Sequence, residues 1–187
     1  MSMHLRLTGR ARVLGDDVNT DYIITSARKR ETIDANILKQ YMLETLDPRF
    51  AASVQPGDLL VAGRNFGCGS AMEVAVTVPC AAGIRAVLAK SFARTYYRNA
   101  INNGLIPVEC DTSGIQEGDG LSIEIASTLM VHNETRGVTI AALPLPPHML
   151  SILEAGGLVP YFRQHRDFRP SDIARQEQQQ REQQQQI

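Results

Sequence analysis

The chain is poor in the features that mark several large function classes. Its 19 basic and 20 acidic residues in 187 leave a net charge of −1, so the charge balance points to neither nucleic acid nor an anionic membrane surface. No apolar run approaches the length of a transmembrane helix, and Met1-Ser2-Met3-His4-Leu5-Arg6 carries no apolar signal core. A cytoplasmic protein without nucleic-acid or membrane partners is the expectation. Cysteine is scarce. Cys68, Cys80 and Cys110 are odd in number and far apart, which argues against a disulfide framework and against a metal or iron–sulfur site held by this chain alone. Cys80 and Cys110 lie in apolar stretches and read as packing residues; Cys68, inside a glycine turn, is the one with a route to a site. The four histidines, at 4, 132, 148 and 165, stand beside no nucleophile or second ligand, so a Ser/His/Asp hydrolase has little support. There is no internal repeat, and a hydrophobic content of 43% is that of an ordinary globular protein.

What is present centres on Asn65-Phe66-Gly67-Cys68-Gly69-Ser70-Ala71-Met72-Glu73. Asp58 to Ala62 reads as a short strand before it, and Ala71 to Ala82 as a small, apolar helix after it, with Pro79 as its blemish. Gly67 and Gly69 permit close backbone approach to a ligand, and a helix N-terminus offers free N–H groups to an anion. Two readings of Ser70 remain open on this pattern. It presents a hydroxyl to an anionic ligand, or it forms a capping box with Glu73, contributing about 1 kcal/mol of helix stability. The third glycine of a dinucleotide fingerprint is missing, and no Lys follows Gly69 as a phosphate loop requires.

Along the chain, Leu5 to Leu14 alternates like an edge strand. A polar turn, Gly15 to Asp21, precedes the β-rich Tyr22-Ile23-Ile24. The cations Arg28-Lys29-Arg30 follow, read either as a solvated run or as a carboxylate-binding loop, since Arg forks grip carboxylates in pairs. Thr32-Ile33-Asp34 opens a helix expected to reach Leu46. From Leu59 to Cys110 the pattern is strand, helix, strand, helix, strand, which predicts a parallel sheet with its ligand site beyond the carboxyl ends of the strands. Strands are expected at Leu121–Ala126 and Val138–Ala142, and a helix from His148 to Ala155 stopping at Gly156-Gly157. The tail from Arg175 to Ile187 is mostly Gln and buries no core. The predicted organisation is one α/β domain over residues 1–170, a parallel βαβαβ core with additional short strands, and a Gln-rich tail over 171–187.

Several motifs in order give a resemblance. Asn19-Thr20-Asp21-Tyr22-Ile23-Ile24, Gly57-Asp58, Asn65 to Ser70, Ser91-Phe92-Ala93-Arg94, Tyr97 to Asn102, Gly104-Leu105 and Ala155-Gly156-Gly157-Leu158 resemble the small subunit of 3-isopropylmalate dehydratase. That family is similar to the swivelling β/β/α domain of aconitase, and the likeness runs from about Gly15 to Phe162. The resemblance implies a hydro-lyase of leucine biosynthesis that removes water from a hydroxy acid and returns it to the neighbouring carbon. It implies a large aconitase-like partner subunit holding a [4Fe-4S] cluster, whose open iron acts as a Lewis acid on the hydroxyl and a carboxylate. This chain would be inactive alone. By motif, Ser70 is the base that takes the Cα proton, Asp21 lies at the edge of the same site, and Gly69, Ala71 and Met72 line the substrate.

The chain also departs from the family pattern. Where members continue Gly-Ser-Ser-Arg-Glu-His-Ala, this chain reads Gly69-Ser70-Ala71-Met72-Glu73-Val74-Ala75. The arginine replaced by Met72 binds a substrate carboxylate in the family. Arg30 falls where homoaconitase-like members carry a carboxylate-reading arginine, and Arg28 and Lys29 replace an apolar pair suited to an isopropyl group. Three readings stand: a 3-isopropylmalate dehydratase subunit, a hydro-lyase subunit for a more anionic or methyl-substituted malate, and a non-catalytic paralogue binding a partner.

Overall fold

A computed structural model describes residues 5–126 and 128–165. The expected boundary at 170 and the Gln-rich tail lie outside the described residues. Seven strands form one sheet: β1 (Leu5–Val13), β2 (Leu59–Ala62), β3 (Ala86–Ala89), β4 (Ile106–Glu109), β5 (Gly120–Ile125), β6 (Leu129–Asn133) and β7 (Val138–Ala142). Their order is β4-β3-β2-β1-β5-β6-β7, with β1 to β4 parallel and β5 to β7 antiparallel. The sheet curls until its two edges touch: Cys110 bridges Ala142, and the Leu143 N–H donates to the Glu109 carbonyl at 2.9 Å.

The helices are α1 (Thr20–Ile23), α2 (Ser26–Glu31), α3 (Ala35–Leu38), α4 (Phe50–Ser53), α5 (Val74–Ala81), α6 (Arg94–Asn102), α7 (Pro147–Glu154) and α8 (Leu158–His165), with a 3-10 turn at Lys39–Tyr41. The β2–α5–β3–α6–β4 unit follows the expected pattern. Every residue of β2 and β3 is buried, because both faces of this part of the sheet are covered. The period of two divides them: Leu60, Ala62, Val87 and Ala89 pack with α3, α5 and Tyr96, while Leu59, Val61, Ala86 and Leu88 pack with β4, β5 and Leu153.

Several local expectations are corrected. β1 lies in the middle of the sheet, although Arg6, Thr8 and Arg10 alternate with more buried residues along it. Alternation reports which face meets solvent and carries no information on whether the main chain is paired on both sides. Tyr22-Ile23 is not strand, because the Asn19 carboxamide oxygen caps the Asp21 N–H at 2.9 Å and starts α1. The run from Thr32 to Leu46 is not one helix. Thr32 closes α2, Asp34 caps α3, and Leu43 takes a positive φ of 59°. Strand β6 and helix α8 were not expected.

One structural network has a pH consequence. The Asp119 carboxylate accepts from Arg136 Nε at 2.7 Å, the Gln116 N–H at 2.9 Å and Asn133 Nδ2 at 2.8 Å, tying the start of β5 to the β6–β7 turn. The Arg136 hydrogen bond, then these other donors, lower its pKa from 3.8 to about 2. A carboxylate depressed in the folded state contributes stability above its unfolded pKa and loses it as pH falls through the folded one. Stability measured by denaturant is therefore expected to fall between pH 4 and pH 2, and less steeply in Asp119→Asn. An equal slope in the variant would remove Asp119 from the account.

Candidate active site

Three connections leave the carboxyl ends of β1, β2 and β3: residues 14–19, 63–73 and 90–93. The backbone laces them together. Gly67 N–H donates to the Val18 carbonyl at 2.8 Å and Thr20 N–H to the Cys68 carbonyl at 2.8 Å. On the other side Phe66 N–H donates to the Ser91 carbonyl at 3.0 Å, and Ala93 N–H to the Phe66 carbonyl at 2.9 Å. The glycine turn thus runs between two neighbouring connections, where ligands gather in open parallel sheets.

Two glycines are required here by packing as well as by backbone. Gly67 has φ 78°, and a Cβ on it would overlap the Tyr96 ring; Gly69 has φ 97°, and its Cβ would overlap the Asn19 carboxamide. Tyr96 was not singled out by the sequence. Its ring meets Phe66 edge-on, with centroids 5.0 Å apart, and its hydroxyl donates to the Ala75 carbonyl at 3.3 Å. That carbonyl is the one Pro79 leaves without a donor four residues on, so Tyr96 repairs the blemish in α5 while pinning the turn. Burial pushes the Tyr96 phenol well above its ordinary pKa, so it stays a neutral donor.

Ser70 is exposed at the end of this turn. Its carbonyl accepts from Thr20 Oγ1 at 2.9 Å, but its own hydroxyl makes no hydrogen bond to any described residue. The capping box does not form. Helix α5 begins at Val74 with Glu73 as its N-cap residue, and no side chain caps it. The helix start lies further along than expected because Met72, 3% exposed, first carries the chain into the core. The N–H groups of Gly69, Ser70 and Ala71 likewise donate to no described residue. Ser70 therefore combines an unpaired hydroxyl with adjacent unpaired amides.

Asp21 follows Thr20 in α1. One of its oxygens, Oδ1, accepts both the Ser26 N–H at 2.9 Å and the Ser26 hydroxyl at 2.6 Å. The same Ser26 hydroxyl lies 4.0 Å from Met72 Sδ. Asn19, Thr20 and Ser26 escaped the sequence reading as holders of the site; the Asn-Thr-Asp run was the only signal available. Ala71 is exposed beside Ser70, whereas Met72 is buried in the core.

The cation run is helical. Thr25 Oγ1 caps α2 by accepting the Arg28 N–H at 3.3 Å. Arg28 does not hold its guanidinium free for a ligand, as the sequence suggested. It grips Glu44 with Nε at 3.0 Å and Nη2 at 3.3 Å, approaches Glu31 at 3.5 Å, and stacks 3.7 Å above Tyr41. The Glu44 hydrogen bond leads in raising its pKa. Lys29 and Arg30 are exposed with no ion pair among the described residues.

The cysteines do not form a metal site. Burial pushes the Cys80 thiol up to about 11 and the Cys110 thiol up to about 12, and Cys68 donates to the Asp17 carbonyl at 3.5 Å. No group of three or more His, Cys, Asp or Glu among the described residues is placed to hold a metal ion, so they do not fit an iron–sulfur cluster. No described helix is long and apolar enough to cross a membrane.

Residues 21–113 match the aconitase C-terminal domain family. The chain is 42% identical over 165 residues to 3-isopropylmalate dehydratase small subunit 2 of Archaeoglobus fulgidus, covering 88% of this chain and 99% of that one. It is 45% identical over 157 residues to the corresponding subunit of Caldicellulosiruptor bescii, covering 83% and 93%. Among solved structures, 3-isopropylmalate dehydratase of Methanocaldococcus jannaschii superposes with a TM-score of 0.83 at 41% identity, covering 87% of this chain and 96% of that chain. The expected aconitase-type α/β fold is the fold observed. With such identity sustained over nearly the whole of each relative, the chain belongs to the 3-isopropylmalate dehydratase small-subunit family, the smaller chains of a heteromeric hydro-lyase.

Proposed function

We propose that this chain joins a large aconitase-like subunit to dehydrate and rehydrate 3-isopropylmalate in the cytoplasm, with Ser70 as the base. The carrying observation is the exposed Ser70 hydroxyl, free of any structural hydrogen bond and flanked by unpaired amides. Because this chain's residues do not fit a [4Fe-4S] cluster, that group is assigned to the partner, and only this chain's residues are given roles. The Ser70 oxygen takes the Cα proton, the C–H electron pair becomes the new C–C π bond, and the hydroxyl on the neighbouring carbon leaves with the C–O bonding pair, becoming water when it takes one proton from the medium. An alcohol is a poor base in water. The amides of Gly69, Ser70 and Ala71 supply the donors that an alkoxide or a substrate carboxylate needs there. Asp21 belongs to the same unit, since the adjacent Thr20 holds the Ser70 carbonyl. Arg30 contributes a guanidinium for a substrate carboxylate, and Met72 acts by packing beneath the turn.

A second reading is favoured by the unpaired Lys29 and Arg30: a hydro-lyase for a more anionic hydroxy acid, as in homoaconitase-like members. The test is alkene absorbance with the anaerobically reconstituted complex on isopropylmalate, citrate, homocitrate and methyl-substituted malates. Preference for isopropylmalate supports the first reading. Preference for homocitrate that disappears in Arg30→Ala supports the second. Silence on the whole panel, with cluster and complex intact, overturns both.

A further inference from the structure

Next to Phe66, which leads into the Ser70 turn, lies a concavity that the proposed chemistry does not use. A cleft of about 300 Å³ opens between α6, α7 and the end of β4, lined by Phe92, Arg94, Tyr97, Arg98, Glu109 and Met149. Phe92 and Tyr97 meet edge to face with centroids 5.8 Å apart, forming an aromatic floor. Arg94 and Arg98 stand four residues apart on the exposed side of α6, and neither has an ion pair among the described residues. Like charges at this spacing repel, a penalty an incoming carboxylate relieves. Glu109 is the single acidic residue in the lining and pairs with neither arginine. Aromatic residues, methionine and arginine are the types enriched where protein interfaces bury their centres, and a guanidinium binds carboxylate through paired hydrogen bonds.

One lining residue of the cleft also packs against the segment that leads into the candidate active site. Phe92 bridges Phe66 in parallel, and their rings meet with centroids 6.0 Å apart. Gly67 follows directly, packed on Tyr96 of the same helix that carries both arginines. Pressure on Phe92 or α6 thus acts on the segment that positions Ser70.

We propose that this cleft docks an acidic segment of the large partner subunit, seating its carboxylates on Arg94 and Arg98 and its apolar side chains on Phe92, Tyr97 and Met149. The inference rests on the heteromeric reading above but not on the identity of the substrate. The test is the Kd between this chain and the large subunit, measured by titration at two salt concentrations. Arg94→Glu/Arg98→Glu is compared with Arg49→Glu/Arg85→Glu, an equal charge change at exposed positions outside the cleft. The cleft variant is expected to weaken binding at least tenfold and to lose much of the salt dependence, with the control within about twofold of wild type. If the double reversal lowers the melting temperature, Arg94→Ala/Arg98→Ala replaces it, with a loss of about threefold or more expected. Equal weakening by cleft and control variants overturns the proposal, and so does failure of the wild-type chain to bind the large subunit. A complex that assembles and weakens as expected, yet is silent on every hydroxy acid, overturns the proposed reaction and leaves the docking surface standing.

Discussion

Ser70→Ala is expected to lower kcat of the assembled complex on 3-isopropylmalate by about 10²–10⁴-fold, the range for losing a positioned acid or base. The melting temperature should stay within about 1 °C of wild type, because the residue is exposed and its hydroxyl holds no structural hydrogen bond. This pairing of results separates the two readings of a serine beside a glycine turn. A capping serine lost to alanine would destabilise the chain and leave chemistry to the rest of the site. A basic serine does the reverse. Steady-state kinetics and thermal unfolding of the same preparation decide the matter; unchanged kcat would remove Ser70 from the mechanism, whatever else the complex does.

The largest stability effect is expected at the amino-terminal end of β2. Asp58 has a side chain 5% exposed and accepts from Arg10 at 2.8 Å and 3.2 Å, Arg12 at 3.4 Å and the Gln55 N–H at 3.0 Å. Burial works to raise its pKa, but the Arg10 and Gln55 hydrogen bonds outweigh it and the carboxylate stays lowered and charged. Asp58→Ala leaves the buried Arg12 guanidinium without this counter-charge, which costs about 3 kcal/mol by the behaviour of broken buried pairs. The lower part of that range applies, since Arg12 keeps Glu117 at 2.8 Å, Ser53 Oγ at 2.8 Å and the Phe50 ring at 4.5 Å. For a chain of this length the expected fall in melting temperature is about 6–12 °C. Arg64→Ala, which breaks an exposed pair with Asp16, is the comparison and should leave stability close to wild type. If both variants melt together, the Asp58 network is not a stabilising one.

The sequence was most legible where one physical cause acted alone. The apolar blocks of β2 and β3 are too short for a helix and are bounded by turn or polar residues, which reads as strand, and both proved to be covered on both faces. Gly156-Gly157 ends α7 because both residues take positive φ, 86° and 121°. It was least legible where short-range signals competed. Tyr22-Ile23-Ile24 has strand-forming residues, yet one carboxamide from Asn19 supplies the cap that makes a helical turn. Strand β6, Leu129–Asn133, alternates buried residues with the half-buried Met130 and His132, and it is held as a strand by pairing to β5 and β7, which the local sequence does not show.

The candidate site divides the same way. By itself the sequence determined the family pattern, the parallel core, the position of the glycine turn at the carboxyl ends of the strands, and Ser70 as its exposed hydroxyl. These follow from local composition and order, which no distant contact had to supply. Only the tertiary structure decided which side chains are free. Arg28 and Arg30 are two residues apart in one cation run, yet Glu44 and Tyr41 occupy the first and nothing described occupies the second. Met72 stands two residues from Ser70 but is buried, and Ser70 itself escaped its capping role because burial of Met72 moved the start of α5 to Val74. A side chain's availability depends on partners distant in sequence, so it is settled only when the chain folds around it.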